Sequence, residues 1–322
     1  MKTYAILTSG GDAPGMNAAI RASVKTAIHN NIKMLGSMRG YRGLVFDDFI
    51  ELNRESIKNI IQRGGSIIHS SRCPEFTTVE GRAKAIEVCR KHGIEGLVLI
   101  GGDGTMRGAL AFAKEGGPPA VGLPGTIDND IVGCDYTIGF DTAVNTALDA
   151  IDRIRDTADA MEMLFFIETM GRSSGAIALA AGIAGGGNVV IVPEQSTDVK
   201  KVAERLSGDL KAGATSLLVI VAEGDDSGGA YSLAQKVKEI TGIDCRVSIL
   251  GHIQRGGKPS ARDRIIATVL GNTAVEDLLE GRTGHMLGWK EDQIVRIPFS
   301  EARTGKTSLP ETIARHSDVL LT

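Results

Sequence analysis

Short apolar segments recur along the chain, and most of them end at a glycine or a polar residue. Six such runs, rich in valine, isoleucine and leucine, cover residues 4–8, 97–100, 120–123, 164–167, 189–192 and 217–221. Runs of this length and composition are typical of strands that are buried on both faces of a parallel sheet. The pattern therefore predicts parallel sheets rather than exposed hairpins.

Helical spacing of apolar residues fills the intervals between these runs. It covers residues 16–29, 142–157 and 199–211. Strands that alternate with helices predict right-handed βαβ units and a three-layer α/β architecture. In such sheets ligands bind at the carboxyl ends of the strands, where the polar residues of this chain also cluster.

Composition narrows the class of protein. The chain has 322 residues, 42 % hydrophobic and 23 % charged, with a net charge of −3, so a large core can form and nucleic acid is not expected as an electrostatic partner. The cysteines are scattered, which predicts reduced thiols rather than disulfides or a zinc site. With neither a signal peptide nor an apolar run of membrane-spanning length, no membrane partner is expected and the cytoplasm is the predicted location.

Two familiar motifs are expected to be coincidental. Gly-Lys-Thr at 305–307 matches the end of a phosphate-binding loop, but the earlier glycine would fall at Ser300 and no strand precedes it at the right distance. Gly-Arg-Ser-Ser-Gly at 171–175 fits the nucleophile elbow of a serine hydrolase, although no HGGG-type oxyanion segment accompanies it. The hydrolase is retained as the alternative from another class of enzyme.

Three polar segments carry more information. Residues 8–17 and 101–105 place glycines after a predicted strand and before a predicted helix, where backbone N–H groups can face phosphate oxygens. Asp103 in the second segment is either a Mg²⁺ ligand or a helix cap. In the third segment, 124–130, alternation along an extended backbone puts Thr126, Asp128 and Asp130 on one face. Two close carboxylates suit a site that binds metal and deprotonates a hydroxyl.

Six motifs together resemble the bacterial ATP-dependent 6-phosphofructokinase family in their order and spacing. They are GGDAPGMNAAIR, GGDGT, PGTIDND, ETMGRSSG, VAEG and LGHIQRGG, which begin at residues 10, 101, 124, 168, 221 and 250. The resemblance implies two three-layer α/β domains with largely parallel sheets. They would comprise residues 1–139 plus 253–303 for the nucleotide and 140–252 plus 304–322 for the sugar phosphate. It also implies phosphoryl transfer from ATP to the 1-hydroxyl of fructose 6-phosphate, a step of glycolysis.

By the same resemblance, the expected residues divide into nucleotide and catalytic groups. The nucleotide group is Gly11, Tyr41, Arg72, Cys73, Gly102, Asp103, Gly104, Thr105 and Gly108. Asp103 would bind Mg²⁺, Asp128 would be the general base and Asp130 would support the metal or the base. Thr126 would orient the hydroxyl, and Arg72 and Arg172 would neutralise the transferring phosphoryl group.

The resemblance also implies a sugar site and an effector site shared between subunits of a homotetramer. The sugar site would contain Thr126, Ile127, Asp128, Met170, Gly171, Arg172, Glu223, His252, Ile253, Gln254 and Arg255, with Arg246 reaching in from a neighbouring subunit. The basic effector residues would be Arg21, Lys25, Arg54 and Arg155. Arg246 and His252 could instead form interface salt bridges.

The chain departs from the family pattern at several of these positions. Met163 stands where the family has a second subunit-shared arginine, and Asn188, Ala214 and Thr215 replace an acidic residue and lysines of the effector site. We therefore expect modest affinity for fructose 6-phosphate and weak regulation, or a preference for another sugar phosphate.

Two glycines predict the identity of the phosphoryl donor. Pyrophosphate-using relatives carry Asp and Lys where this chain has Gly104 and Gly125. We expect both glycines to leave open volume for a nucleotide, so ATP is the predicted donor. The remaining alternatives are a pyrophosphate-dependent relative and an inactive binding homologue. The intact set of Asp103, Asp128, Asp130 and Arg172 argues against the inactive homologue.

Overall fold

The structure is a computed structural model that describes residues 1–305. These residues separate into two compact units. Unit 1 contains Met1–Ile127, Ile131–Thr142 and Arg255–Gly305, and unit 2 contains Asp128–Asp130 and Ala143–Gln254. The domain boundaries implied by the resemblance stay a prediction. Most of the predicted 304–322 segment, and with it Lys306 and Thr307 of the Gly-Lys-Thr motif, lies outside the described residues.

Unit 1 is built on an eight-stranded mixed sheet with the order β12-β11-β6-β5-β1-β2-β3, in which β4 also pairs with β1. Its strands are β1 (Thr3–Ser9), β2 (Lys33–Ser37), β3 (Phe49–Leu52), β4 (Ser70–Ser71), β5 (Ile94–Gly101), β6 (Ala120–Pro124), β11 (His285–Lys290) and β12 (Gln293–Pro298). The pairs β2–β3 and β11–β12 are antiparallel, and the other pairs are parallel.

Helices cover both faces of this sheet. They are α1 (Met16–His29), α2 (Tyr41–Phe46), α3 (Val79–Lys91), α4 (Asp103–Lys114) and α9 (Ala261–Leu279), with a 3-10 turn at Pro74–Thr77. Ala5 and Leu7 of β1 pack with the cluster formed by α2, α3 and α4. Ile6 points to the opposite face because side chains alternate along a strand. The helices α1 and α9 pack against each other, and the missing side chain of Gly271 lets α9 approach the carbonyl of Ala19.

Unit 2 has a four-stranded parallel sheet with the order β10-β7-β9-β8. The strands are β7 (Leu164–Thr169), β8 (Val189–Ile191), β9 (Leu217–Ala222) and β10 (Cys245–Ile249). The helices are α6 (Ala176–Ala184), α7 (Val199–Lys211) and α8 (Gly229–Thr241), followed by a 3-10 turn at Gly251–Arg255; α5 (Phe140–Met161) begins in unit 1 and continues into unit 2. Every residue of β9 is buried, as expected for a central strand with helices on both faces.

The α/β fold class predicted from the sequence is confirmed. All six predicted strands and all three predicted helices form, and α1 and α7 have the predicted ends. Asp198 caps α7 by accepting from the backbone N–H groups of Lys200 and Lys201, which explains why this helix starts where it does.

All four cysteines, Cys73, Cys89, Cys134 and Cys245, are free thiols. Of the helices in the described part of the chain, none combines the length and the apolar character needed to cross a bilayer.

Candidate active site

The three polar segments predicted from the sequence emerge from adjacent parallel strands of unit 1. Ser9 of β1 is paired with Gly101 of β5, and Gly101 is paired with Pro124 of β6. Because the strands are parallel and in register, the chain leaves all three at the same edge of the sheet. Gly10 (φ 88°) and Gly15 (φ 107°) turn the first segment into α1 through conformations that favour glycine.

Asp103 is the first residue of α4, directly after the turn at Gly102. One carboxylate oxygen accepts a hydrogen bond from the Gly104 N–H (2.6 Å), and the other lies 3.1 Å from the Arg107 guanidinium. Within residues 1–305, no group of three or more His, Cys, Asp or Glu could hold a metal without other ligands. A lone carboxylate beside a phosphate-binding turn fits Mg²⁺, which takes few protein ligands and completes its shell with phosphate oxygens and water.

Gly104 and Gly125, on which the prediction of ATP as donor depends, differ in their surroundings. A Cβ at Gly104 would have only the Arg107 side chain within 4 Å, at 3.9 Å. A Cβ at Gly125 would come within 2.7 Å of Ile100 and 3.0 Å of Met16. The expectation of open volume is therefore right at Gly104 and wrong at Gly125, because Gly125 is enclosed by core side chains.

Tyr41, predicted from the resemblance to lie at the nucleotide site, contacts the first turn of α4. Its hydroxyl donates to the carbonyl of Thr105 (2.8 Å), and its ring stacks on Phe76 with centroids 3.8 Å apart. Burial raises the pKa of Tyr41. Gly108 leaves room for this stack, since a Cβ there would lie 3.2 Å from the Tyr41 ring.

Arg72 and Cys73 follow the short strand β4 in unit 1. The Arg72 residue is exposed and Cys73 is half-buried. The Cys73 thiol donates to Glu75 (3.3 Å), and burial raises its pKa. A thiol held in its neutral form can pack against a ligand but is not activated as a nucleophile.

Asp128 and Arg172 meet in unit 2. Asp128 is 4 % exposed, and its Oδ2 lies 3.5 Å from Nε of Arg172, whose side chain is 52 % exposed. Asp130 is also buried. A buried carboxylate next to an exposed guanidinium provides a proton acceptor and a mobile positive charge in one place.

A carboxylate holds the backbone conformation of Arg172. Arg172 adopts φ 54° and follows Gly171 at φ 144°. Glu223 Oε1 accepts from the N–H of Arg172 (2.8 Å) and of Gly171 (3.3 Å). The Glu223 carboxylate therefore stabilises the turn at Gly171 and Arg172. Glu223 follows β9 and the turn follows β7, so the two lie side by side because these strands are parallel neighbours.

Most of the other residues predicted for the sugar site lie in or near the 3-10 turn at Gly251–Arg255. Gln254 is fully buried and accepts from the Met170 N–H (3.3 Å), so it fixes the end of β7. His252, Ile253 and Arg246 are exposed. Ile127, by contrast, is buried and belongs to unit 1.

Arg255 lies in unit 1, next to the glycine-rich turn that follows β1. Its guanidinium packs directly over the Cα of Gly11, where any side chain would collide with it. Its Nε is buried and has no hydrogen-bond partner among residues 1–305. A buried donor without a partner costs free energy, and a bound water or anion would satisfy it.

Three of the four predicted effector residues lie in one pocket of unit 1. Arg21, Lys25 and Arg54 line it, together with His29 and Lys58. Arg155 belongs to unit 2, where its guanidinium donates to the carbonyls of Gly185 and Gly186. Asn188, also in unit 2, accepts from the Leu218 N–H (2.9 Å) and so completes the pairing at the start of β8.

Two residues near these segments were not found from the sequence. Arg107 lies one helical turn after Asp103, and this i,i+4 spacing was the signal available for it. Asp263 contacts Gly139 and Thr142 across more than 120 positions of the chain. No local pattern reveals a contact of that separation.

Glycine-rich turns at the ends of parallel strands, Asp103 at the start of α4 and the buried Asp128 beside Arg172 are together typical of phosphotransferases. A phosphofructokinase sequence profile matches residues 3–278. The chain belongs to the phosphofructokinase family.

Individual relatives agree with this assignment. The chain is 52 % identical over 320 residues to ATP-dependent 6-phosphofructokinase 1 of Thermus thermophilus, covering 99 % of both chains. It is 53 % identical to the ATP-dependent 6-phosphofructokinase of Clostridium acetobutylicum over 302 residues, 94 % of each. The structure of phosphofructokinase from Saccharomyces cerevisiae superimposes with a TM-score of 0.88 at 33 % identity. The superposition covers 100 % of this chain and 47 % of the yeast chain.

Proposed function

We propose that this chain transfers the γ-phosphoryl group of ATP to the 1-hydroxyl of fructose 6-phosphate, with Asp128 as the general base. The observation that carries the proposal is the buried Asp128 carboxylate beside Arg172, on the segment that follows β6. The identity to curated ATP-dependent 6-phosphofructokinases over nearly the whole chain supports the choice of donor and acceptor.

The chemistry assigned to these residues is an in-line displacement. Asp128 takes the proton of the sugar hydroxyl, whose oxygen then bonds to the γ-phosphorus while the bond to the β-phosphate oxygen breaks and ADP leaves. Arg172 neutralises the phosphoryl oxygens during transfer, and exposed Arg72 is proposed for the same role. Thr126 orients the hydroxyl and Asp130 supports the base.

The nucleotide is assigned to residues of unit 1. The N-terminus of α4 and the turn at Gly102–Thr105 present backbone N–H groups to the phosphates, and the open volume at Gly104 admits a nucleotide. Mg²⁺, when bound at Asp103, would neutralise charge on the donor phosphates. Gly11, Tyr41, Cys73 and Gly108 complete this group.

The sugar phosphate is assigned to residues of unit 2 and to Arg255. Met170, Gly171 and Glu223 would hold the sugar, and His252 and Arg255 would hold its 6-phosphate. The Nε of Arg255 is buried without a hydrogen-bond partner in the described part of the chain, and this supports an anionic ligand at Arg255. Exposed Arg246 on the edge strand β10 is proposed to complete the site of a neighbouring subunit in a homotetramer.

Two further assignments follow from the same resemblance. The basic pocket at Arg21, Lys25 and Arg54 is proposed as an effector site for anions, to which Arg155 would contribute. The cytoplasm, where glycolysis takes place, is the proposed location.

A donor and acceptor panel tests the proposed function. ATP and Mg²⁺ are tested against several hexose phosphates, and pyrophosphate replaces ATP in a parallel series. The rate of formation of the sugar bisphosphate is measured in both series, because ADP is a product only when ATP is the donor. We expect the highest kcat/KM for the pair ATP and fructose 6-phosphate. A higher kcat/KM with pyrophosphate, or with another sugar phosphate, would overturn the proposal.

A further inference from the structure

A buried carboxylate at the start of α9 is bonded to the start of α5. Asp263 is 1 % exposed. Its oxygens accept from the Gly139 N–H (2.8 Å), the Thr142 N–H (2.8 Å) and the Thr142 hydroxyl (2.5 Å). A carboxylate that satisfies several N–H groups at a helix N-terminus is a strong cap, because those groups have no partner within the helix.

The two helix starts cap each other. Thr142 Oγ1 also accepts from the Ser260 N–H (2.9 Å), and Ser260 Oγ accepts from the Asp263 N–H (3.2 Å). Each member of this group therefore depends on the others for its hydrogen bonds. Loss of one member leaves buried donors of the others unpaired.

The segment that Asp263 holds is bonded in turn to the residues just before Asp128. The Thr137 hydroxyl donates to the carbonyl of Thr126 (2.6 Å), and the Ile138 N–H donates to the carbonyl of Pro124 (2.8 Å). Gly125 and Ile138 form a parallel bridge. Residues 137–142 thus act as a brace on the backbone from which Asp128 continues.

Close packing leaves this brace little freedom. Gly139 has φ 106°, and a Cβ there would lie 2.7 Å from Cβ of Ala13. A Cβ at Gly15 would lie 2.7 Å from Ile138. The brace consequently sits against the glycine-rich turn after β1, and its hydrogen bonds to Asp263 add to the restraint that this packing imposes.

We propose that Asp263 is a positioning residue for catalysis: through Gly139 and Thr142 it holds residues 137–142, which hold residues 124–126 and thereby the backbone that presents Asp128. Asp263 is not proposed to touch the substrate. It acts on the geometry of the base, where displacements of about 1 Å cost up to roughly 100-fold in rate.

The test uses Asp263→Asn. An amide in place of the carboxylate points a donor at groups that donate, so the contacts to Gly139 and Thr142 cannot all survive. We expect kcat to fall roughly 10- to 100-fold. The KM for ATP should change less than about twofold, since the turn at Gly102–Thr105 is positioned by β5 and α4.

A matched control lies on the same helix. Asp277 of α9 is likewise fully buried, but it accepts from Arg282, His285 and Arg296 at the β11–β12 hairpin. Asp277→Asn should lower the Tm and leave kcat within about twofold of the parent, measured well below both melting temperatures. If Asp263→Asn also lowers only the Tm, Asp263 is a structural cap and the proposal is wrong.

A second pair of variants covers the case in which Asp263→Asn does not fold. Thr142→Val keeps the volume of the side chain but removes the hydroxyl, and with it the hydrogen bonds to Asp263 and from the Ser260 N–H. Because the backbone N–H contacts to Asp263 remain, kcat should fall less than in Asp263→Asn, by roughly 3- to 10-fold. Thr142→Ser retains the hydroxyl and should restore most of kcat. Equal kcat in the valine and serine variants would contradict the proposal.

Because this inference rests on the proposed role of Asp128, one readout is independent of activity. Hydrogen exchange in Thr142→Val should accelerate at residues 137–142 and also at residues 124–130, but not at α4. A parent chain without kinase activity on fructose 6-phosphate would contradict the proposed function alone. Faster exchange confined to residues 139–142 would contradict only the positioning role of Asp263.

Discussion

Replacing Asp128 with Ser removes the proposed proton acceptor and leaves most phosphate contacts in place. The carboxylate is 4 % exposed, and it has a charged partner in Arg172 at 3.5 Å. General-base catalysis by a positioned side chain contributes on the order of 10²- to 10⁴-fold. The expected loss in kcat corresponds to about 2.7–5.5 kcal/mol of transition-state stabilisation.

The assay compares kcat and both KM values of the parent, Asp128→Ser and Asp128→Asn by coupling ADP formation to NADH oxidation. Because the proposed contacts to ATP come from other residues, KM should change much less than kcat. The isosteric Asn variant separates chemistry from packing, and both variants should lose activity together. A kcat within about fivefold of the parent in either variant would show that Asp128 is not the base.

Three other changes probe the donor, the sugar and the fold. Gly104→Asp places a carboxylate in the open volume proposed to admit the nucleotide, so kcat/KM for ATP should fall roughly 10-fold or more with little change in Tm. An unchanged kcat/KM would show that the nucleotide does not occupy this volume. Met163→Arg should lower the KM for fructose 6-phosphate by roughly 10- to 150-fold, the value of one charge-assisted contact; an unchanged KM would favour another sugar phosphate. Burial alone would raise the pKa of Asp277, but hydrogen bonds from Arg296, Arg282 and His285 outweigh it and lower the pKa from 3.8 to about 2. The ionised Asp277 therefore contributes roughly 2 kcal/mol to the free energy of unfolding above pH 3.8, and this contribution is lost as the pH falls towards 2. In urea unfolding, the free energy of unfolding of Asp277→Asn should depend less on pH between 2 and 4 than that of the parent. The same pH dependence in both proteins would contradict the lowered pKa of Asp277.

Local patterns in the sequence were sufficient for much of the fold. The helices α1 and α7 and all six predicted strands depend on periodicity within about 4–14 residues, and burial enforces that periodicity. The meeting of the three polar segments at one sheet edge also followed, because parallel strands end on the same side.

Features set by distant contacts could not be read in this way. Gly125 is enclosed by Ile100 and Met16, which a motif comparison does not reveal. Arg155 is used to bind two backbone carbonyls, and Arg255 packs on Gly11. The antiparallel strands β3 and β12 are exposed at several positions and lack the apolar runs that identified the others. In each case tertiary packing, rather than local preference, determines the outcome.

The identity of the product tests the central proposal most directly. ATP, pyrophosphate, Mg²⁺ and fructose 6-phosphate are mixed with the enzyme in one tube and followed by phosphorus NMR. We predict that ATP is converted to ADP while a second phosphate ester appears on C1 of the sugar and the pyrophosphate signal stays constant. Loss of the pyrophosphate signal with ATP unchanged, or release of inorganic phosphate from ATP with no sugar bisphosphate, would contradict it.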